Sequence, residues 1–136
     1  MRTRIGLVVW AAVVALGFAP AVRAEEETGK AFIVLVGIDD YKDTQIKKRK
    51  HAEADAKAIF DLFSGKEHLG VKGENIKLFL GSEDAKRGAQ PATKENVLKA
   101  LQWLEKNAGK DDLVVFGFFG NGAPLGDRAV YFATDS

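Results

Sequence analysis

AFIVLVGI, residues 31–38, is the stretch whose reading decides the fold. It holds no charged or polar side chain, and Ile33, Val34, Val36 and Ile38 are β-branched. An unbroken apolar run of this length reads as a strand buried on both faces, as strands of parallel sheets are. A strand with one wet face would alternate instead. Asp39-Asp40-Tyr41-Lys42-Asp43 ends the run as a polar loop.

Downstream, the basic run Lys47-Lys48-Arg49-Lys50-His51 precedes a helix expected over 52–63. There Ala52, Ala56, Ile59 and Phe63 fall on one stripe, with Phe60 and Leu62 at its edges. Ser64-Gly65 ends the helix, and Gly70 and Gly73 punctuate a loop. Ile76–Leu80 reads as a second strand, stopped by Gly81, and 82–91 as a polar loop. Thr93 is a good N-cap for a second helix, with Glu95 in its first turn. Val97, Leu98, Leu101 and Leu104 are the expected apolar face, Lys106 lies in the last turn, and Gly109 follows as a stop. Leu113–Phe119 reads as a third buried strand with Phe116, Phe118 and Phe119 in the core, and Gly120-Asn121-Gly122 breaks it. Residues 129–133 read as a short final strand. Strand, helix, strand, helix, strand, joined by right-handed crossovers, predicts an α/β three-layer sandwich on a mainly parallel sheet. Ligand-handling residues of such sheets collect at the carboxyl ends of the strands. Asp39-Asp40-Tyr41 and Gly120-Asn121-Gly122 stand there.

Upstream, residues 1–24 have the plan of a secretory signal peptide: Arg2 and Arg4, an apolar stretch from Ile5 to Ala19, then Val22-Arg23-Ala24 before the cut. Cleavage after Ala24 would leave a polar tail, 25–30, and one domain, 31–136. The expected localisation is secreted or periplasmic, with no stable membrane anchor after cleavage. The full chain has 136 residues with 20 basic against 19 acidic. Losing Arg2, Arg4 and Arg23 leaves 17 (20 less three) against 19, a net charge of −2. That balance gives no footprint for nucleic acid. The chain has no Cys, which excludes a disulfide scaffold, a thiolate metal site and a cysteine nucleophile. His51 and His68 have no metal-type partner at helical spacing, so no metal and no cofactor are expected. The run 47–50 reads as a ledge for an anionic surface or as a solvated loop balanced by Glu53 and Asp55.

Several segments together carry a family resemblance. FIVLVGIDDYKD is followed by HAEADAKAIFDLF, NIKLFLGSEDA, ATKENVLKALQWL, DDLVVFGFFGNG and AVYFATDS. In order and spacing these resemble the N-terminal half of a caspase-like domain (caspase, metacaspase; peptidase family C14), with a flavodoxin-like start, over about residues 31–136. The resemblance aligns the family's Ser-Gly-His-Gly with Phe119-Gly120-Asn121-Gly122, so Asn121 occupies the catalytic histidine position between Gly120 and Gly122. The family cysteine lies roughly 50 residues beyond that histidine. This chain runs 15 residues beyond Asn121, to Ser136. The resemblance therefore implies a truncated, catalytically degenerate domain.

Three readings follow: a secreted caspase-like protein, inactive as this chain, that binds a peptide or protein; a caspase-like endopeptidase whose second half is encoded separately or lost; and a plain α/β interaction module. Asp39 and Asp40 read either as a turn that caps nearby amides or as a remnant of a substrate cleft favouring basic side chains. A phosphoacceptor receiver would use such an acidic pair for Mg²⁺, but it needs an acceptor Asp after the third strand, where this chain has Phe118-Phe119-Gly120-Asn121. With no strand to follow, the third strand's edge, carrying Leu113, Val115, Phe116 and Phe118, is expected to promote self-association.

Overall fold

The computed structural model describes residues 29–136. Residues 1–24, expected to be a signal peptide, and most of the expected polar tail lie outside the described residues; Gly29 and Lys30, which end that tail, are exposed. The elements are β1 (Ala31–Gly37), α1 (Ala52–Ser64), β2 (Ile76–Leu80), β3 (Gln90–Pro91), α2 (Lys94–Asn107), β4 (Leu113–Phe119), β5 (Gly122–Leu125) and β6 (Arg128–Tyr131). Short 3₁₀ turns at Gly73–Asn75 and Ala85–Arg87 lead into β2 and β3.

The main sheet has the order β3-β2-β1-β4, with every pair parallel. β1 is its centre, and Ile33, Val34, Leu35 and Val36 are almost completely buried. Alternation sends Phe32, Val34 and Val36 to one face, where they meet Phe79 of β2 and Ala100 and Leu104 of α2. Ile33 and Leu35 go to the other face with Ile76, Leu78, Leu80 and Ala56 of α1. One helix thus covers each face, which gives the three-layer α/β sandwich. Each large side chain buried in this way is worth roughly 1.5–3 kcal/mol.

Four expectations are corrected. First, β4 has the expected bounds but is not a buried strand. Leu113 and Val114 are about half exposed, Phe116 somewhat less, and only Val115, Phe118 and Phe119 pack against the core clusters, each of them partly buried. β4 is an edge strand, paired with β1 alone. Second, the buried stripe of α2 is Val97, Ala100 and Leu104, flanked by Trp103, whereas Leu98 and Leu101 face solvent. At 100° per residue, Leu101 is turned well off that stripe and Leu98 further still. Third, residues 82–91 are not only loop, because Gln90 and Pro91 pair with Phe79 and Leu80. Fourth, the last strand has an unforeseen partner. β5 and β6 form an antiparallel hairpin outside the main sheet, closed by Gly126-Asp127. Gly126 adopts φ 64°, which a two-residue hairpin turn requires at its first position.

Candidate functional site

β1 pairs with β2 on one side and β4 on the other, so the strand order reverses between β1 and β4. In open α/β sheets ligands bind where the carboxyl ends of two such strands part. The loop after β1 and the turn after β4 meet there.

Tyr41 and Asn121 close the space between them. The Asn121 backbone N–H donates to the Tyr41 hydroxyl at 2.6 Å, and the Asn121 side-chain amide donates to the Lys47 carbonyl. Gly120 makes room for this contact. A Cβ there would stand 2.8 Å from Tyr41 Oη and 2.9 Å from a Phe118 ring carbon. Burial pushes the Tyr41 hydroxyl above its ordinary pKa, opposed by the Asn121 hydrogen bond and by Arg49, so the ring stays a neutral phenol at physiological pH.

Asp39 serves α1. His51, the residue before the helix, has φ 73° and gives no side-chain cap. Asp39 Oδ1 instead accepts from the N–H groups of Ala52 at 2.8 Å and Glu53 at 3.3 Å, satisfying donors that the helix leaves free. Asp40 pairs with Lys48 at 2.7 Å on the open surface. Gly122 begins β5 and is paired with Tyr131. The chain then returns over the sheet's carboxyl edge: Phe132 N–H donates to the Asn121 carbonyl, Lys42 N–H to Thr134 and Thr134 N–H to Ala92.

The expected balance of Lys47–Lys50 by Glu53 and Asp55 is not what forms. Glu53 is buried and accepts from the backbone and hydroxyl of Ser82, with Lys57 3.9 Å away. Lys47, Arg49 and Lys50 have no carboxylate partner among the described residues, and Lys48 has Asp40 alone. His51 and His68 are both exposed. Among the described residues no group of three or more acidic or histidine side chains could hold a metal, and no helix is long and apolar enough to cross a membrane.

A concavity of about 840 Å³ lies at the opposite, amino end of the sheet, beside Lys30, Phe32, Val71 and Trp103. Its lining includes Lys30, Lys72 and Glu74, and none of the expected site residues stands there. The site therefore rests on topology and on the β1–β4 junction rather than on cavity size.

Sequence reasoning placed Asp39, Asp40, Gly120, Asn121 and Gly122 together at this edge, and the structure brings them there. It gave no role to Tyr41, although Tyr41 stands in the IDDY segment that ends β1. It also missed the Lys47 carbonyl, a backbone acceptor with no sequence signature.

No protein-family model matches the chain. Two curated proteins do. Metacaspase-1 of Debaryomyces hansenii is 30% identical over 99 residues, which is 73% of this chain and 21% of that protein. Metacaspase-1 of Kluyveromyces lactis is 27% identical over 100 residues, 74% of this chain and 22% of that protein. The chain is a distant relative of the metacaspases, and it spans about a fifth of the length of these curated relatives.

Proposed function

We propose that this chain is a secreted caspase-like protein that does not cut peptides and instead holds a peptide or protein segment at the carboxyl edge of its sheet. The observation that carries the reading is Asn121. It lies two residues past the end of β4, where the family resemblance expects the catalytic imidazole, and its side-chain amide is already bonded to the Lys47 carbonyl. The distant relation to metacaspases supports the ancestry.

A cysteine peptidase needs a thiolate to attack the scissile carbonyl. It also needs an imidazole to take the thiol proton and return it to the leaving amine. An amide has no pKa near neutrality and cannot move that proton. The chain holds no Cys. In a hydrolase of comparable design, losing either of the two groups costs on the order of 10⁶ in rate. Backbone donors near Gly122 would then polarise a carbonyl without cleaving it.

The test is a peptidase assay on the purified chain. Fluorogenic peptides with Arg, Lys or Asp before the scissile bond should stay intact, with or without Ca²⁺. Asn121→His should not restore turnover, because there is no thiol to activate. Hydrolysis that co-purifies with the chain and disappears in a Gly122 variant would overturn the reading. Export through the 1–24 leader belongs to the same proposal, and the exported product should begin at Glu25.

A second reading is favoured by the open edge of β4: a caspase-like endopeptidase whose remaining half supplies the next strand and its thiol. It predicts that a separately expressed cysteine-bearing partner confers activity on this chain. The plain interaction-module reading predicts no peptide binding at the β1–β4 junction.

A further inference from the structure

We propose that Asn121-Gly122 is a deamidation site built into the β1–β4 junction, where the side-chain amide turns into a carboxylate and lets go of the segment 47–50. An asparagine followed by glycine cyclises more readily than any other, because glycine has no side chain to hinder its own backbone nitrogen. This is the one such pair in the chain: Asn75, Asn96 and Asn107 precede Ile76, Val97 and Ala108. The fold also retains it. A Cβ at position 122 would stand 2.5 Å from the Val130 carbonyl oxygen, so the close approach of β5 and β6 requires glycine there.

The reacting groups are free where the reaction needs them free. Gly122 faces Tyr131 in the hairpin register, and the Phe132 N–H donates to the Asn121 carbonyl at 3.0 Å. A ladder bond at that place makes Gly122 and Tyr131 a non-hydrogen-bonded pair, so the Gly122 N–H points away from β6. Among the described residues nothing accepts it. Gly122 is exposed and Asn121 half-buried, so water reaches both. Asn121 itself is restrained at three points: its N–H by Tyr41, its carbonyl by Phe132 and its side-chain nitrogen by the Lys47 carbonyl. Ring closure expels that side-chain nitrogen, so it has to break the Lys47 contact. The reaction therefore waits on local opening of the junction.

In the first step the Gly122 nitrogen gives its proton to hydroxide, and its electron pair attacks Asn121 Cγ. The Cγ–Nδ2 bond breaks, and Nδ2 takes a proton from water and leaves as ammonia, which gives a cyclic imide. Water then adds to one of the two imide carbonyls and breaks its bond to the Gly122 nitrogen. Opening at Cγ gives aspartate, and opening at the backbone carbonyl gives isoaspartate, with the chain running through Cγ. The sum is one water consumed and one ammonia released, with nothing oxidised or reduced. The carboxylate has no N–H for the Lys47 carbonyl, so two acceptors then face each other. That frees the segment carrying Lys47, Arg49 and Lys50, and it does so whether or not the junction holds a peptide.

The experiment incubates the purified chain at neutral and mildly alkaline pH and follows its tryptic peptides by mass spectrometry. The peptide 111–128 holds Asn121 as its one side-chain amide. It should gain the mass difference of amide to acid, with isoaspartate among the products, faster at the higher pH. Conversion should run tenfold or more ahead of Asn75, Asn96 and Asn107. Tyr41→Phe removes one restraint and should speed conversion severalfold while the β1 amides stay protected, with the synthetic peptide 111–128 as the upper limit. Asn121→Asp mimics one product and should speed amide exchange across 47–51. A folded chain that stays unconverted while the synthetic peptide converts would overturn the site, as would conversion no faster than at the other three asparagines. A rate that Tyr41→Phe leaves unchanged would overturn the gating. Unchanged exchange across 47–51 in Asn121→Asp would overturn the release.

Discussion

The two edges of the sheet are built differently. On one side the sheet closes with β3, two residues long and ending in Pro91, a residue with no N–H to offer a neighbour. Beside it Arg87 holds Asp61 through two hydrogen bonds of 2.8 and 2.7 Å and Asp84 through a third of 2.8 Å. On the other side stands β4, seven apolar residues with three outward N–H groups and no guard. Short, polar, proline-ended edges are how soluble proteins avoid pairing with one another. The long apolar edge of β4 is thus, among the described residues, the less guarded of the two.

The largest effect that would break the comparison concerns the strand between the edges. Leu35 in β1 is fully buried, while Leu113 in β4 is 57% exposed. Leu35→Ala should cost about 2–5 kcal/mol in denaturant unfolding, and Leu113→Ala under about 1 kcal/mol. Equal costs would mean that β4 is covered after all.

A smaller effect concerns the junction of β1 and β4. Tyr41→Phe keeps the ring and removes the acceptor of the Asn121 N–H, so it should cost about 1–2 kcal/mol. Faster amide exchange should be confined to Gly120–Gly122 and the loop after β1.

The smallest concerns the guarded edge. The Arg87 hydrogen bonds hold Asp61 below the usual carboxylate pKa. Burial alone would raise Asp84, but its hydrogen bonds from Arg87 outweigh that and leave it lowered too. Carboxylates lowered in the folded state contribute stability that is complete above their unfolded pKa of about 4 and is lost as pH falls through the folded values. The stability difference between wild type and Arg87→Ala should therefore be constant from neutral pH to about pH 5 and shrink below about pH 4. A difference that grew on acidification would contradict the clamp.

The strands β1 and β4 are legible as continuous apolar runs and β2 as an apolar run interrupted only by Lys77, the first ended by the polar loop from Asp39, the second by Gly81 and the third by Gly120. Thr93 announced α2, and it does accept from the Asn96 N–H. The burial of β4 was misread because an apolar run records composition, while its place in the sheet depends on which strands flank it. Leu98 and Leu101 misled for the same reason: Ala100, a small residue, carries the buried face, and the leucines sit on the flank. β5 was hidden by Pro124, which lowers strand propensity, although Gly126-Asp127 was a legible turn. At the site, Asp39, Asp40 and Asn121 could be placed from topology. The partners of Asp39 and of the Asn121 side-chain amide could not, because they are backbone groups of Ala52, Glu53 and Lys47 brought near by folding.

The most direct test of the account is hydrogen exchange along β4 in dilute solution. The account predicts alternation: the amides of Val114, Phe116 and Phe118 exchange rapidly, while those of Val115, Gly117 and Phe119, aimed at β1, are protected together with β1 itself. Uniform protection of all six at low concentration would contradict it, because it would mean that the β4 edge is already paired within a single chain.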